Sequence, residues 1–180
     1  MAGRSLGIVL SGGGARALAH LGVLEELRAA GLKFDRADGV SLGSLIAAAT
    51  AADFTPADMF DVFERSFVST NPSNDFVPPA YSLIRGAKTR RLLYDAFGDR
   101  RIEELPLRFF CLSCDLVARE AVLHRTGPAA RVHADLVVAP RVDSIGLTDW
   151  KALGHVRELG RRAAREALAA DPDLRSRPGI

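Results

Sequence analysis

Short apolar runs and helical apolar spacings alternate along the first third of the chain. The apolar run over residues 5–10 predicts a buried strand, and leucines spaced three apart predict a helix over residues 15–30. Residues 32–40 predict a second short strand with a turn, and the alanine-rich residues 44–52 predict a second helix. Strands that alternate with helices in this way are typical of a parallel sheet with helices on its faces, so the pattern predicts an α/β fold.

The rest of the chain predicts loops, a hairpin and a long final helix. Prolines and asparagines break regular structure over residues 71–79, and a hairpin is predicted over residues 107–117 and 121–125. Residues 134–140 predict another buried strand. The final helix is predicted from Trp150 to about Ala170, with Asp149 as its cap. Its predicted apolar face consists of Leu153, Val156, Leu159, Ala163 and Ala167. We expect a single domain over residues 1–170 and a loose tail over 171–180.

Composition and charge narrow the classes of protein that this chain can represent. It has 180 residues, 48% of them hydrophobic, and a formal net charge of +2, which is ordinary for a globular domain and disfavours a nucleic-acid binder. The longest apolar stretch, residues 45–52, is too short to cross a bilayer, and no signal peptide is recognisable, so a cytoplasmic location is predicted. Cys111 and Cys114 fall on a predicted strand and are expected to be buried core residues. No metal site and no cofactor are predicted.

A serine flanked by glycines lies between the second predicted strand and the second predicted helix. Gly39, Ser41 and Gly43 match Gly-X-Ser-X-Gly, a strained turn that exposes the serine oxygen while the glycines avoid clashes with neighbouring backbone. The helix that follows directs its N-terminus at the serine and favours developing negative charge. Ser41 is therefore a candidate nucleophile, which also needs a base and oxyanion donors. A capping serine in a tight turn is the alternative interpretation.

Three consecutive glycines, Gly12, Gly13 and Gly14, separate the first predicted strand from its helix. Their backbone N–H groups at a helix N-terminus are suited to bind a phosphate or an oxyanion, and Arg16 adds a cation close by. Neighbouring parallel strands bring their carboxyl ends to the same edge of a sheet. We therefore expect this turn and the Ser41 turn to lie side by side.

A dinucleotide-binding domain is a second interpretation of the same glycines. Gly12, Gly14 and Ala17 match G-x-G-x-x-G/A, and Asp35 follows about twenty residues later, where a ribose-binding acid is expected. The shortness of the second strand weighs against this interpretation, which also leaves the serine turn unexplained.

Residues 7–48 read GIVLSGGGARALAHLGVLEELRAAGLKFDRADGVSLGSLIAA. This stretch closely resembles the opening of bacterial patatin-like phospholipases, including the branch related to neuropathy target esterase. The stretches YSLIRG, FGDRRIEELPLRFFCLSCDL and ADLVVAPRVDSIGLTDW extend the resemblance through nearly the whole chain. It implies a three-layer α/β/α fold and a serine lipid acyl hydrolase with a Ser–Asp dyad. It also implies a lipid or acyl-ester substrate, and it is compatible with peripheral membrane contact. The residues that it implies are Ser41 as the nucleophile and Gly12, Gly13, Gly14 and Arg16 at the oxyanion site.

The aspartate of that dyad is the residue that this sequence lacks. Family members carry it in an Asp-Gly-Gly or Asp-Gly-Ala motif downstream of the serine, whereas the one Asp-Gly here, Asp38-Gly39, belongs to the serine turn itself. An internal deletion near residues 127–133 would explain the loss. The other candidates for the base are Asp115, Asp135, Asp143, Asp149, His20, His124, His133 and His155. We therefore expect little or no activity, and an inactive remnant is the alternative function.

Overall fold

The computed structural model describes residues 6–69, 87–115, 120–124 and 144–170. Its strands are β1 (Gly7–Leu10), β2 (Arg36–Gly39), β3 (Arg108–Asp115) and β4 (Glu120–His124). Its α-helices are α1 (Ala19–Ala29), α2 (Leu42–Ala51), α3 (Pro56–Phe63), α4 (Ala87–Phe97) and α5 (Leu153–Ala170). Turns of 3₁₀-helix cover Gly14–Leu18, Ile102–Glu104 and Trp150–Ala152, and Glu64–Ser69 form a π-helix.

The four strands form one sheet in the order β1-β2-β3-β4. Strands β1, β2 and β3 are parallel, with Leu10 paired to Gly39 and Asp38 paired to Phe110. Strand β4 runs antiparallel to β3 as the second arm of a hairpin. The predicted α/β class, the mainly parallel sheet and the hairpin are therefore confirmed, and the carboxyl ends of β1 and β2 lie at the same edge.

The main core is built from the sheet, from α1 and α2, and from residues of α3, the π-helix and α5. Leu21 and Leu24, two of the leucines at the predicted spacing, are fully buried there together with Ala37 of β2 and Ile46 of α2. The alanines of α2 let that helix lie directly against β1, β2 and β3. Because both helices are packed on this core, the turns that precede them at the sheet edge are held in place.

Helix α5 packs along α1 at very short range. A Cβ atom on Gly160 would lie 1.9 Å from the carbonyl oxygen of Ala19, and one on Gly22 would lie 2.0 Å from that of Arg157. Only glycine at these two positions permits the helices to approach so closely. A ladder of ion pairs joins the same two helices: Arg157–Glu25, Arg161–Glu25 and Arg165–Glu26.

The final helix differs from the prediction in two respects. Its buried residues are Leu153, Val156, Gly160 and Ala164. The predicted face residues Leu159, Ala163 and Ala167 are only half buried, because the contact with α1 selects the side of α5 that carries Gly160. Asp149 occupies the N-cap position of the 3₁₀ turn before α5, as predicted, but its side chain makes no capping hydrogen bond.

Several predictions lie outside the described residues: the irregular stretch 71–79, the deletion near 127–133, the strand 134–140 and the tail 171–180. Among the helices that the structure does describe, none combines the length and the apolar character needed to cross a membrane.

Candidate active site

Ser41 occupies the corner between β2 and α2 in a backbone conformation that L-residues rarely adopt. Its φ is 53° and its ψ is −129°, a combination that costs about 1–3 kcal/mol for a residue with a side chain. The residue is exposed, and it is the N-cap of α2, so its hydroxyl lies at the positive end of that helix. The corner therefore presents the serine to solvent at the expense of local strain.

Close backbone approaches explain the glycines on either side of Ser41. A Cβ atom on Gly39 would lie 2.5 Å from the carbonyl of Gly43, and a Cβ atom on Gly43 would lie 2.4 Å from the carbonyl oxygen of Ser11. Ser44 braces the corner because its N–H and its hydroxyl both donate to the Ser41 carbonyl oxygen, at 2.9 and 2.6 Å. The Gly-X-Ser-X-Gly spacing thus corresponds to a tight turn in the structure.

The loop of residues 11–14 lies against this corner, at the same edge of the sheet. A Cβ atom on Gly12 would lie 3.0 Å from the Cβ atom of Ser41, so a side chain there would crowd the serine. Gly13 and Gly14 have φ angles of 139° and 54°, in the region that favours glycine. The structure therefore brings the predicted glycine nest and the predicted nucleophile into contact.

Arg16 and its neighbour Ala15 are held by a distant part of the chain. The Nε atom of Arg16 donates to the carbonyl oxygen of Ile145 at 2.5 Å. The N–H of Ala15 donates to the carbonyl oxygen of Leu147 at 2.8 Å. The Arg16 guanidinium, which was expected at the oxyanion site, is thus bonded in part to a backbone carbonyl.

His20, in the first turn of α1, also contacts the glycine loop. Its Nε2 lies 2.9 Å from the carbonyl oxygen of Ser11, and because a carbonyl only accepts, Nε2 carries the proton in this contact. Burial lowers the pKa of His20, and the hydrogen bond to Ser11 opposes that shift in part. The imidazole is therefore neutral at pH 7, and the nitrogen that faces the loop is engaged with Ser11.

The remaining candidates for the base divide between exposed positions and undescribed ones. Asp149 and His155 are exposed, and within the described ranges the Ser41 hydroxyl makes no hydrogen bond to a carboxylate or an imidazole. The side chains of Asp115 and His124, and the whole of His133, Asp135 and Asp143, lie outside the part of the chain that the structure describes. Their candidacy stays a prediction.

The geometry opposes the dinucleotide interpretation. Asp35 precedes β2, which spans Arg36–Gly39 within the predicted range 32–40. Its Oδ2 accepts from the N–H of Leu6 at 2.8 Å, at the amino end of the strands. A ribose-binding acid belongs at the carboxyl end of the second strand, beside the glycine turn. Asp35 is therefore at the wrong edge of the sheet for this role.

A groove of about 440 Å³ opens beside the serine corner. Ser44 of the corner lines it, and its wall is mostly apolar, with Leu45, Phe97 and Phe109 contributed by α2, α4 and β3. Cys111 also lies in this wall and is half buried instead of fully buried as predicted. Burial raises the pKa of the Cys111 thiol, which keeps it uncharged and poorly reactive. The Cys114 side chain is outside the described residues.

Two features of this region carry no signal in the sequence. The carbonyls of Ile145 and Leu147 are backbone groups, and every residue has one, so no residue type reveals their contact with the glycine loop. Asp38 is 1% exposed, and its Oδ1 accepts from the N–H of Phe110 at 3.1 Å, which ties β2 to β3. Residue type and spacing do not reveal this buried link.

Sequence comparisons connect the chain with lipid hydrolases. The family model for patatin-like phospholipases matches residues 8–164. An uncharacterized NTE family protein of Mycobacterium tuberculosis is 40% identical over 127 residues, covering 71% of this chain and 22% of that protein. The lysophospholipase NTE1 of Candida glabrata is 34% identical over 147 residues, covering 77% of this chain and 8% of that protein. The lysophospholipase nte1 of Aspergillus fumigatus is 32% identical over 178 residues, covering 89% and 12%. The chain thus spans less than a quarter of the length of these relatives.

Proposed function

The chain belongs to the patatin-like phospholipase family, and on that premise we propose that it is a serine lipid acyl hydrolase. Ser41 is the proposed nucleophile, and the N–H groups of Gly12, Gly13 and Gly14 are the proposed oxyanion donors. The substrate is a fatty-acyl ester of a lipid. Two fungal relatives are named lysophospholipases, and these names support the same class of substrate for this chain.

One observation carries the proposal: a strained, exposed serine lies in contact with a glycine loop that is held at positive φ. When the Ser41 oxygen attacks an ester carbonyl, negative charge develops on the carbonyl oxygen. Backbone amides of the loop and the N-terminus of α2 are suited to stabilise that charge, and they need no rearrangement during the reaction. Loss of a single such donor in other hydrolases lowers kcat by about 10²–10³.

The lack of a second Asp-Gly motif for the acid of the dyad supports a second candidate, an inactive remnant of the same family. The one Asp-Gly pair begins with Asp38, whose carboxylate accepts from the Phe110 N–H within the sheet. Asp38 therefore serves the sheet and does not replace the missing base. In a serine hydrolase that lacks one triad member, the oxyanion site and substrate binding still supply about 10³–10⁴ over water.

The groove beside Ser44 is the proposed site of the acyl chain. Its volume of about 440 Å³ falls in the range of small-molecule sites, and its apolar wall suits a hydrocarbon chain. Val40 and Leu147, which are 53% and 56% exposed, lie next to the serine and the glycine loop and support peripheral contact with a lipid surface. A cytoplasmic location stays a prediction.

Labelling of the chain by an alkyl fluorophosphonate tests the proposal. The serine oxygen bonds to phosphorus, fluoride leaves, and the adduct is located by mass spectrometry. We expect the label on Ser41, loss of labelling in Ser41→Ala, and unchanged labelling in Ser66→Ala, a serine outside the site. Absence of label from Ser41 in the folded chain would contradict the proposal.

Hydrolysis of p-nitrophenyl esters between pH 7 and 9 separates the two candidates. An internal carboxylate base is already ionised in this range, so an active enzyme gives a flat rate. A chain without a base depends on hydroxide, and its rate rises about tenfold per pH unit. A rate equal to that of Ser41→Ala at every pH identifies the inactive remnant.

A further inference from the structure

Residues 144–149, here called the clamp, contact the glycine loop from the far end of the sequence. The carbonyl oxygen of Leu147 accepts from the Ala15 N–H at 2.8 Å, and a Cβ atom on Gly14 would lie only 2.2 Å from the same oxygen. The carbonyl oxygen of Ile145 accepts from Arg16 Nε, 129 residues away, at 2.5 Å. Two backbone carbonyls of one short segment thus hold two successive residues that follow the glycines.

The glycine loop needs such outside support. Three successive glycines lose more conformational freedom on ordering than other residues do, and Gly13 and Gly14 are both ordered at positive φ. The three glycines themselves offer no side chain with which to fix that conformation. The contacts at Ala15 and Arg16 supply the missing constraint at its carboxyl end.

The clamp is itself anchored in the core. Ile145 and Trp150 are 6% and 8% exposed, and the Trp150 ring packs on Phe67 with centroids 4.4 Å apart. Between these anchors the backbone turns, with the Asp149 N–H donating to the Gly146 carbonyl oxygen at 3.1 Å. The two carbonyls that face the glycine loop are therefore presented by a short segment fixed at both ends.

We infer that the clamp holds the glycine loop in its oxyanion-binding conformation, and that Arg16 is a positioning residue that acts through the Ile145 carbonyl. This inference rests on the proposed function. It leaves the N–H groups of the three glycines as the oxyanion donors, because the Ala15 N–H is occupied by Leu147. It also assigns residues 144–149 a role that neither their polarity nor their spacing suggests.

The test combines two measurements on the full chain and its variants. Hydrogen exchange reports the Ala15 amide and residues 144–150 directly, and the rate of labelling by an alkyl fluorophosphonate reports the competence of Ser41. For Arg16→Met we expect faster exchange at both places and labelling slowed by about tenfold to a hundredfold, as for a misplaced reacting group. The matched control is Arg28→Met, which removes a similar arginine-to-carbonyl bond, to Phe54 at 3.2 Å, far from Ser41.

A second variant keeps the inference testable if Arg16→Met does not fold. Ile145→Ala loosens one anchor of the clamp and leaves the Arg16 side chain in place. Its control is Leu27→Ala, because Leu27 is equally buried, at 6% exposure, but belongs to the second core cluster. We expect slower labelling and faster Ala15 exchange in Ile145→Ala alone.

If the wild-type chain takes the label, three outcomes would overturn the inference. Slower labelling with unchanged exchange would mean that Arg16 acts on the oxyanion by its own charge. Full recovery of labelling in Arg16→Lys while exchange stays fast would mean the same. Faster exchange with unchanged labelling would make the clamp purely structural. A wild-type chain that takes no label contradicts the proposed function, and the exchange data then decide the clamp alone: unchanged exchange in Arg16→Met refutes it.

Discussion

The Gly160→Ala substitution tests whether the close contact of α5 with α1 sets the position of the clamp. Helix α5 begins at Leu153, one 3₁₀ turn after the clamp, so a displacement of the helix moves the residues that hold the glycine loop. The new methyl group would lie 1.9 Å from the Ala19 carbonyl oxygen, whereas ordinary contact begins at 3.4 Å. The helices must therefore separate by about 1.5 Å, the difference between these two distances.

The expected loss of stability follows from that clash. Overpacking costs about 1–3 kcal/mol, and the upper value applies because the obstacle is backbone and not a flexible side chain. The better helix propensity of alanine offsets up to about 1 kcal/mol. The net change is a destabilisation of about 2 kcal/mol, which lowers Tm by about 4–8 °C for a chain of this size.

Thermal denaturation followed by circular dichroism measures the change in Tm. The control is Gly154→Ala on the same helix, where an added Cβ atom meets nothing within 4 Å, so Tm is expected to stay constant or rise slightly. Gly160→Ala should also speed exchange at the Ala15 amide, and Gly154→Ala should not. Equal melting temperatures for the two variants would refute the packing argument, and a lower Tm with unchanged Ala15 exchange would refute the link to the clamp.

Three further predictions concern the corner, the ion-pair ladder and the groove. Ser41→Gly should raise stability by up to about 2 kcal/mol in chemical denaturation, because relief of the positive φ, about 1–3 kcal/mol, exceeds the ordering entropy that glycine adds, about 0.5–1 kcal/mol. The same variant should take no label. Burial raises the pKa of Glu25, but hydrogen bonds from two arginines outweigh it and leave the pKa below its ordinary value of 4.5; stability should therefore fall as pH drops below 4.5, and less so in Glu25→Gln. Ala48→Phe in the groove wall should slow hydrolysis of long-chain esters more than of short ones, unlike Ala29→Phe on the exposed side of α1.

The parts of the site that depend on neighbours in the chain are predictable from the sequence. The glycines at 39 and 43 predict a tight corner at Ser41. The alternation of strands and helices predicts that residues 12–14 lie at the same edge of the sheet. Both follow from local sterics and from parallel pairing, which residue type and spacing encode directly. The class of fold and the hairpin are recoverable for the same reason.

The parts of the structure that depend on contacts between distant residues are not predictable from the sequence. The buried side of α5 is chosen by the fit of Gly160 against α1, and apolar periodicity alone favours Leu159 and Ala163 instead. The side chain of Asp38 in β2 accepts a hydrogen bond from the Phe110 N–H of β3, and no spacing rule predicts this contact. The clamp acts through backbone carbonyls, so its sequence carries no chemical mark of what it touches.

Strain at Ser41 bears on the choice between an active hydrolase and an inactive remnant. In a chain without activity, nothing would oppose glycine at this corner, and the substitution would relieve about 1–3 kcal/mol of a total stability of about 5–15 kcal/mol. The glycine loop also lowers stability, because ordering Gly13 and Gly14 at positive φ costs conformational entropy and these residues have no side chain to pack. The strained corner and the glycine loop are costly features that add little to the core, and the clamp supports the loop. Their combination in one chain supports the proposal of an oxyanion site at this edge of the sheet.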